Sequence, residues 1–254
     1  MLPDGIGAGG STKPSDGLHA RFPRYGYIDQ VEAQHAMLQR IGIDHLRLVA
    51  GTSQGGMHAW LWAERFPDAM EAAVPIGCMP MQISGRNLLW RQIVIRAIRN
   101  DPGWHGGDYD PAHPPTLWAE TAGPIFAVMT GNPERLQEAA PDRGRTLAYH
   151  EQLAAQFGKL DPTDLLYDIE SSADYDPAPG IGRIKAPLLA INFADDEVNP
   201  AQFSVTRETI ARIPSARLVL VQANPGYGHA SISHAELWSE RLAAFLDQLP
   251  GWKE

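Results

Sequence analysis

Leu46-Arg47-Leu48-Val49-Ala50-Gly51-Thr52-Ser53-Gln54-Gly55-Gly56-Met57-His58-Ala59-Trp60 is the stretch that decides how the chain is read. A short apolar run meets Gly-x-Ser-x-Gly, and a helical pattern follows. The spacing predicts a strand over 46–50 and a helix over 54–65, ended by Phe66-Pro67. The sharp turn between them lifts the Ser53 hydroxyl above the end of the strand. Gly51 and Gly55 flank Ser53, where side chains are expected to clash as the turn closes. Gly56 is expected to let the helix pack closely on the strand. The helix starts beneath Ser53, so its positive end favours an oxyanion formed there. The backbone N–H of Gln54 is the predictable donor to it.

Working outward, 254 residues with 44% hydrophobic content suit one large domain or a domain with an insertion. A net charge of −9 argues against a nucleic-acid partner, which needs a basic face. No apolar run is long enough to span a bilayer, so no membrane partner is expected. Met1-Leu2-Pro3-Asp4-Gly5 has neither the basic nor the apolar region of a signal peptide. The one cysteine, Cys78, leaves no internal disulfide, and a reducing, cytoplasmic location is expected. Cys78 follows an apolar run and is read as a buried structural thiol.

Gly5, Gly7 and Gly10 match a dinucleotide-binding spacing, but no strand precedes them to launch the turn, so no nucleotide site is expected. A helix is predicted over Asp29–Ile41 and a buried strand over Ala72–Ile76. Strand, helix and strand at this spacing imply a parallel sheet with crossover helices. From Ser84 to about Pro179 strand signals vanish. Helices are predicted over Asn87–Asn100, Thr116–Met129, Pro133–Ala139 and Thr146–Phe157. An all-helical insert between strands of a parallel sheet is expected to cap the edge where ligands bind. Trp90, Trp104 and Trp118 are read as its core. His105, Asp108, Asp110 and His113 lie on a Gly/Pro-rich loop that does not fix ligand geometry, so no metal site is expected. The sheet resumes over Ala186–Phe193, a helix follows over Ala201–Ile213, then a strand over Ala216–Val221. The loop Asn224-Pro225-Gly226-Tyr227-Gly228-His229 leads to a closing helix over Ala235–Leu249.

A serine hydroxyl is a weak nucleophile near neutral pH and needs a base to take its proton. His229, in a Gly-rich loop just past the last strand, is the one of nine histidines in such a place. His58 is read as a packing residue and His234 as a cap or surface group. The base needs a carboxylate to fix its tautomer. Asp195 and Asp196 compete, both at the end of the strand over 186–193. Asp196, four residues before Pro200, is favoured. Asp195 remains the alternative acid.

The order Ser53, acid, His229 is that of the α/β-hydrolases. Pro3-Asp4-Gly5-Ile6-Gly7, Lys13-Pro14-Ser15-Asp16-Gly17, Arg21-Phe22-Pro23, Gly51-Thr52-Ser53-Gln54-Gly55-Gly56-Met57, Phe66-Pro67-Asp68 and Ala194-Asp195-Asp196 with Asn199-Pro200 resemble the homoserine O-acetyltransferase-like branch of that superfamily. The resemblance implies an α/β-hydrolase fold: a mostly parallel sheet flanked by helices, with a helical cap. It implies core over 1–83, cap over 84–179 and core again over 180–254. It also implies a ping-pong mechanism with acetyl-CoA or another acyl-CoA as co-substrate and no bound cofactor. Two positions depart from the acetyltransferases, which usually carry Met where Gln54 stands and Asp where Ala230 stands. Members of the branch have several strands before the Pro-Asp-Gly-Ile-Gly segment. Here those N-terminal strands are missing, and with them the loop that would supply a second oxyanion donor. An exposed sheet edge is therefore expected, and a homodimer is one way to cover it. Three readings follow: a hydrolase of a small ester or acyl substrate, which the residues favour; an acyl-CoA-dependent O-acyltransferase; and a binding module without chemistry.

Overall fold

The computed structural model describes residues 1–223 and 226–251. In chain order its main elements are α1 (Tyr27–Arg40), β1 (Val49–Thr52), α2 (Gln54–Arg65), β2 (Ala73–Ile76) and α3 (Gly85–Asn100). There follow α4 (Ala119–Thr130), α5 (Pro133–Ala139), α6 (Arg143–Phe157) and α7 (Pro162–Ser171). The chain closes with β3 (Leu188–Phe193), α8 (Ser204–Ile210), β4 (Ala216–Val221) and α9 (Ser239–Leu246). It divides into two units, Val31–Gln82 with Tyr175–Glu254, and Met1–Gln30 with Ile83–Asp174. Among the described residues no helix is long and apolar enough to cross a membrane.

The first unit holds the sheet. Its strands lie in the order β1-β2-β3-β4 and every neighbouring pair is parallel. All strands therefore end on one edge, and the loops leaving those ends meet there. The two central strands are buried along their whole length, as near-continuous apolar runs require. On one face Val74, Ile76, Leu189, Ile191 and Phe193 pack with Phe245 of α9. On α2, every residue from Gly56 to Glu64 is buried, which is why its sequence is apolar nearly all round. Trp62 donates to Gln34 of α1 at 2.8 Å, and the His35 ring stacks on Phe66 at 3.8 Å.

β1 departs from expectation. It runs over Val49–Thr52, while Leu46 makes only an isolated bridge to Met70. Gly51 and Thr52 stay in the ladder opposite Pro75 and Ile76, so the strand continues to the residue before Ser53. The last helical stretch is also broken. Ala235–Leu237 is a 3-10 turn, Trp238 leaves helical geometry at φ −138°, and only then does α9 begin.

The second unit is helical. Trp90, Ile95, Ile98, Trp118, Ala122 and Leu166 form its core, with Trp104 packed against it. Gly123 permits the close crossing of α4 and α6, since a Cβ there would sit 2.7 Å from the Leu153 carbonyl oxygen. α7 was not anticipated, although Asp161 caps it by accepting from Thr163 and Asp164 N–H, and Pro162 occupies its first position. Residues 1–30 belong here, not with the sheet. Ser15 donates to Asp164 through N–H and hydroxyl, the Tyr167 hydroxyl donates to the Phe22 carbonyl, and Asp174 accepts from Tyr27 N–H. The segment 101–116 is largely loop, and its His113 and Asp110 form an exposed 2.8 Å pair. Among the described residues no three His, Cys, Asp or Glu side chains group as metal ligands.

Candidate active site

Ser53 stands between β1 and α2 with φ 50° and ψ −116°, left-handed backbone that a side chain rarely adopts. Such a conformation costs about 1–3 kcal/mol and persists only where surroundings enforce it. Here they do. Ser53 N–H donates to the Ile76 carbonyl of β2 at 2.8 Å, and the Ser53 carbonyl accepts from Met57 N–H of α2 at 2.9 Å.

The glycines around the turn have unequal duties. A Cβ on Gly51 would lie 2.3 Å from the Gly55 backbone. One on Gly56 would lie 2.7 Å from Cys78 Sγ and 2.9 Å from the Ile76 carbonyl oxygen. One on Gly55 would meet nothing within 4 Å. The expectation that Gly55 must lack a side chain is therefore corrected. Gly55 is the surface against which Gly51 closes, and Gly51 carries the steric demand. Cys78 is 1% exposed, and burial pushes its thiol far above the usual range, so it stays protonated. Gln54 opens α2, which puts its N–H at the positive end of the helix dipole.

Three side chains from three loops converge. The Ser53 hydroxyl lies 2.8 Å from His229 Nε2, and His229 Nδ1 lies 2.8 Å from Asp196 Oδ2. Ser53 follows β1, Asp196 follows β3 and His229 lies beyond β4, so the parallel order of the sheet brings them to one edge. Nδ1 faces a carboxylate and therefore carries the proton, which leaves Nε2 as acceptor for the serine. His229 and Asp196 are 8% and 2% exposed.

Burial works against ionising Asp196, but hydrogen bonds from His229, Asn199 and the Val198 N–H outweigh it and hold the carboxyl below its ordinary range. Val198 N–H and Asn199 N–H both donate to Oδ1, at 2.8 and 3.1 Å. Asp195 faces elsewhere: its Oδ2 accepts the Gly228 N–H at 2.7 Å. It anchors the backbone next to His229, not the ring. The two acids of the pair thus hold two different parts of the histidine loop. Asn224 and Pro225 of that loop lie outside the described residues.

Two other histidines take other roles. His58 is buried in α2, and desolvation pushes its pKa down to about 4. His234 stacks on Tyr227 at 3.5 Å and pairs with Glu236 at 2.9 Å.

Sequence reasoning passed over Asn199, whose side chain reaches Asp196 Oδ2 at 2.9 Å and the Gly77 carbonyl at 2.8 Å. The signal was an Asp followed three residues later by an Asn at a strand end, where the Asp side chain folds back onto the next backbone N–H groups. Asn192 was missed too. It sits inside β3 and accepts the Cys78 N–H at 3.1 Å; a polar residue in an apolar run was the clue.

Known proteins resemble the chain along most of its length. A family profile described as alpha/beta hydrolase fold matches residues 1–235. A homoserine O-acetyltransferase of Trichormus variabilis is 29% identical over 241 residues, covering 86% of this chain and 64% of its own. A homoserine O-succinyltransferase of Magnetococcus marinus is 30% identical over 217 residues, covering 83% of this chain and 53% of its own. Among solved structures, an acetylester hydrolase from Corynebacterium glutamicum superposes with a TM-score of 0.83 at 23% identity, covering 96% of this chain and 75% of that one. The chain thus spans between about half and two thirds of the length of these two curated relatives.

Proposed function

The chain belongs to the α/β-hydrolase fold family, and from that premise we propose that it catalyses acyl transfer through an acyl-Ser53 intermediate, with water as the acceptor of a small ester's acyl group. The observation that carries the reading is the unbroken relay of 2.8 Å contacts from Ser53 Oγ through His229 to Asp196. In the first step Ser53 Oγ attacks the ester carbonyl carbon, and His229 Nε2 takes the hydroxyl proton. The Gln54 N–H stabilises the tetrahedral oxyanion, a donor of the kind worth roughly 10²–10³ in rate. The ester C–O bond then breaks, and the departing alcohol leaves with the proton from Nε2. In the second step water attacks the acyl-Ser53 carbonyl and gives its proton to Nε2. The carboxylic acid departs and Ser53 recovers its hydrogen. Asp196 stays ionised throughout, holding Nδ1–H and steadying the imidazolium.

A second reading keeps the acyl-Ser53 intermediate but draws the acyl group from an acyl-CoA thioester and passes it to an alcohol such as homoserine. The sequence relatives favour it, since two are homoserine O-acyltransferases by name. Position 230 favours water. A zwitterionic acceptor needs charged partners, and the residue directly after His229 is alanine.

One assay separates the readings. The protein is given p-nitrophenyl acetate with and without homoserine. A burst of p-nitrophenol followed by turnover that homoserine does not change supports the hydrolase. Turnover that appears only with homoserine supports the transferase. Absence of acyl-Ser53 after incubation with the ester or with acetyl-CoA, or full activity in Ser53→Ala, overturns both.

A further inference from the structure

We propose that Asn199 is a positioning residue for the Asp196–His229 pair: its amide nitrogen shares Asp196 Oδ2 with the imidazole and ties the acid's loop to the neighbouring Gly77 carbonyl. The proposal rests on the acyl-transfer reading above.

Asn199 is 1% exposed. Its Nδ2 lies 2.9 Å from Asp196 Oδ2, 2.8 Å from the Gly77 carbonyl oxygen and 3.4 Å from His229 Nδ1. The chemistry of these neighbours fixes which way the amide points. Carboxylate and carbonyl oxygens only accept, so the group facing them must be the NH₂. The 3.4 Å approach to Nδ1 is then a meeting of two donors that converge on one oxygen. The Asn199 Oδ1 has no protein donor among the described residues, so the amide is held by its nitrogen. Asn199 also donates its backbone N–H to Asp196 Oδ1 at 3.1 Å. One residue therefore grips both oxygens of the acid.

The Gly77 end of the bridge is firmly placed. Gly77 N–H donates to the Ile191 carbonyl of β3 at 2.8 Å. Its φ of +65° and an Ile232 methyl 2.4 Å from where a Cβ would stand keep the position glycine. Asn199 thus fastens the acid loop after β3 to the strand end between the acid and the elbow. Two effects on the imidazole follow. The carboxylate cannot rotate away from Nδ1–H. It also shares its charge with a second donor, so it is a weaker base and leaves the proton on the ring. The titratable groups beside the pair include Asp195, bound to Gly228 N–H, Cys78, kept protonated by burial, and Glu197, next to Asp196 in the chain.

The test measures kcat and KM for p-nitrophenyl acetate against pH in wild type, Asn199→Ala and Asn199→Leu, with the burst giving the active fraction. Removing the amide leaves a more basic carboxylate, which holds imidazolium more tightly. The acidic limb of kcat/KM then moves to higher pH by about half a unit or more in Asn199→Ala. kcat falls about tenfold with KM nearly unchanged, as expected for an interaction that acts through the base. Asn199→Leu keeps the approximate volume but offers no donor to Oδ2, and it moves the limb in the same direction. The proposal is overturned if both variants keep the wild-type limb, whether or not they melt earlier. Should Asn199→Ala not fold, the limb of Asn199→Leu decides alone. Ser53→Ala run alongside separates the two ideas. An inactive Ser53→Ala with an unmoved limb sinks only the role of Asn199, whereas an active Ser53→Ala sinks the acyl-Ser53 reading itself.

Discussion

At the scale of single residues, adjacent acids of the same type receive opposite assignments from geometry. Asp196 takes the imidazole N–H, and Asp195 takes a backbone N–H one residue before the histidine. Asparagine at 196 can turn its NH₂ toward Nδ1 and favour the tautomer whose proton sits on Nε2, which cannot accept from Ser53. We expect Asp196→Asn to lower kcat for p-nitrophenyl acetate by about 10⁴-fold with little change in KM. Asparagine at 195 still offers a carbonyl oxygen to Gly228 N–H, so Asp195→Asn should retain turnover within severalfold of wild type. The reverse outcome would exchange the two roles. The preference for Asp196 was legible from its distance to Pro200. The reason for it was not, because the donors that gather around its carboxylate come from a fold-back of its own loop and from a loop more than thirty residues away.

At the scale of the element, the strand–turn–helix around Ser53 was the most readable part of the chain, and α2 spans the residues its pattern predicts. Its neighbours were less legible for physical reasons. Gly51 reads as a turn residue, yet it stays in the ladder, because its missing Cβ makes room for Gly55. That division of labour is testable. Gly51→Ala forces a Cβ to 2.3 Å from backbone and should cost about 3 kcal/mol in chemical denaturation. Gly55→Ala meets open space in a helix and should be neutral or raise stability by about 0.5 kcal/mol. Equal losses at both sites would refute the asymmetry. The burial of α2 also bears on acid stability. His58 has its pKa depressed from 6.5 to about 4 by desolvation. Above pH 6.5 it is neutral in both folded and unfolded chains. Between there and about pH 4 only the unfolded chain takes up the proton, so stability falls as pH falls. The loss attributable to His58 by pH 4 is about 3 kcal/mol. Denaturation of wild type and His58→Gln at pH 7 and pH 4 should show a smaller acid loss in the variant by that amount; parallel pH dependences would contradict it.

At the scale of the whole molecule, the sheet presents β1 at one side and β4 at the other. The two edges are defended differently. β4 carries Arg217, exposed, with its guanidinium donating to Gln248 at 2.7 Å. β1, Val49–Thr52, carries no charge, and Ala50 and Thr52 are exposed. An uncharged edge strand with unpaired backbone groups is a template for another strand, and natural edges commonly block this with an inserted lysine. We therefore expect concentration-dependent self-association in sedimentation velocity, reversed by Ala50→Lys. Lysine at 50 points to solvent from a position opposite Val74 and leaves the parallel ladder to β2 intact. The variant should keep the wild-type melting temperature and rate with p-nitrophenyl acetate, because it touches neither the turn at Ser53 nor the residues that meet there. A wild-type protein that sediments as a monomer at every concentration would show that the β1 edge is already protected. An association that persists in Ala50→Lys would instead locate the contact elsewhere, with the exposed Leu89, Val128 and Leu147 of the helical unit as the next surface to charge.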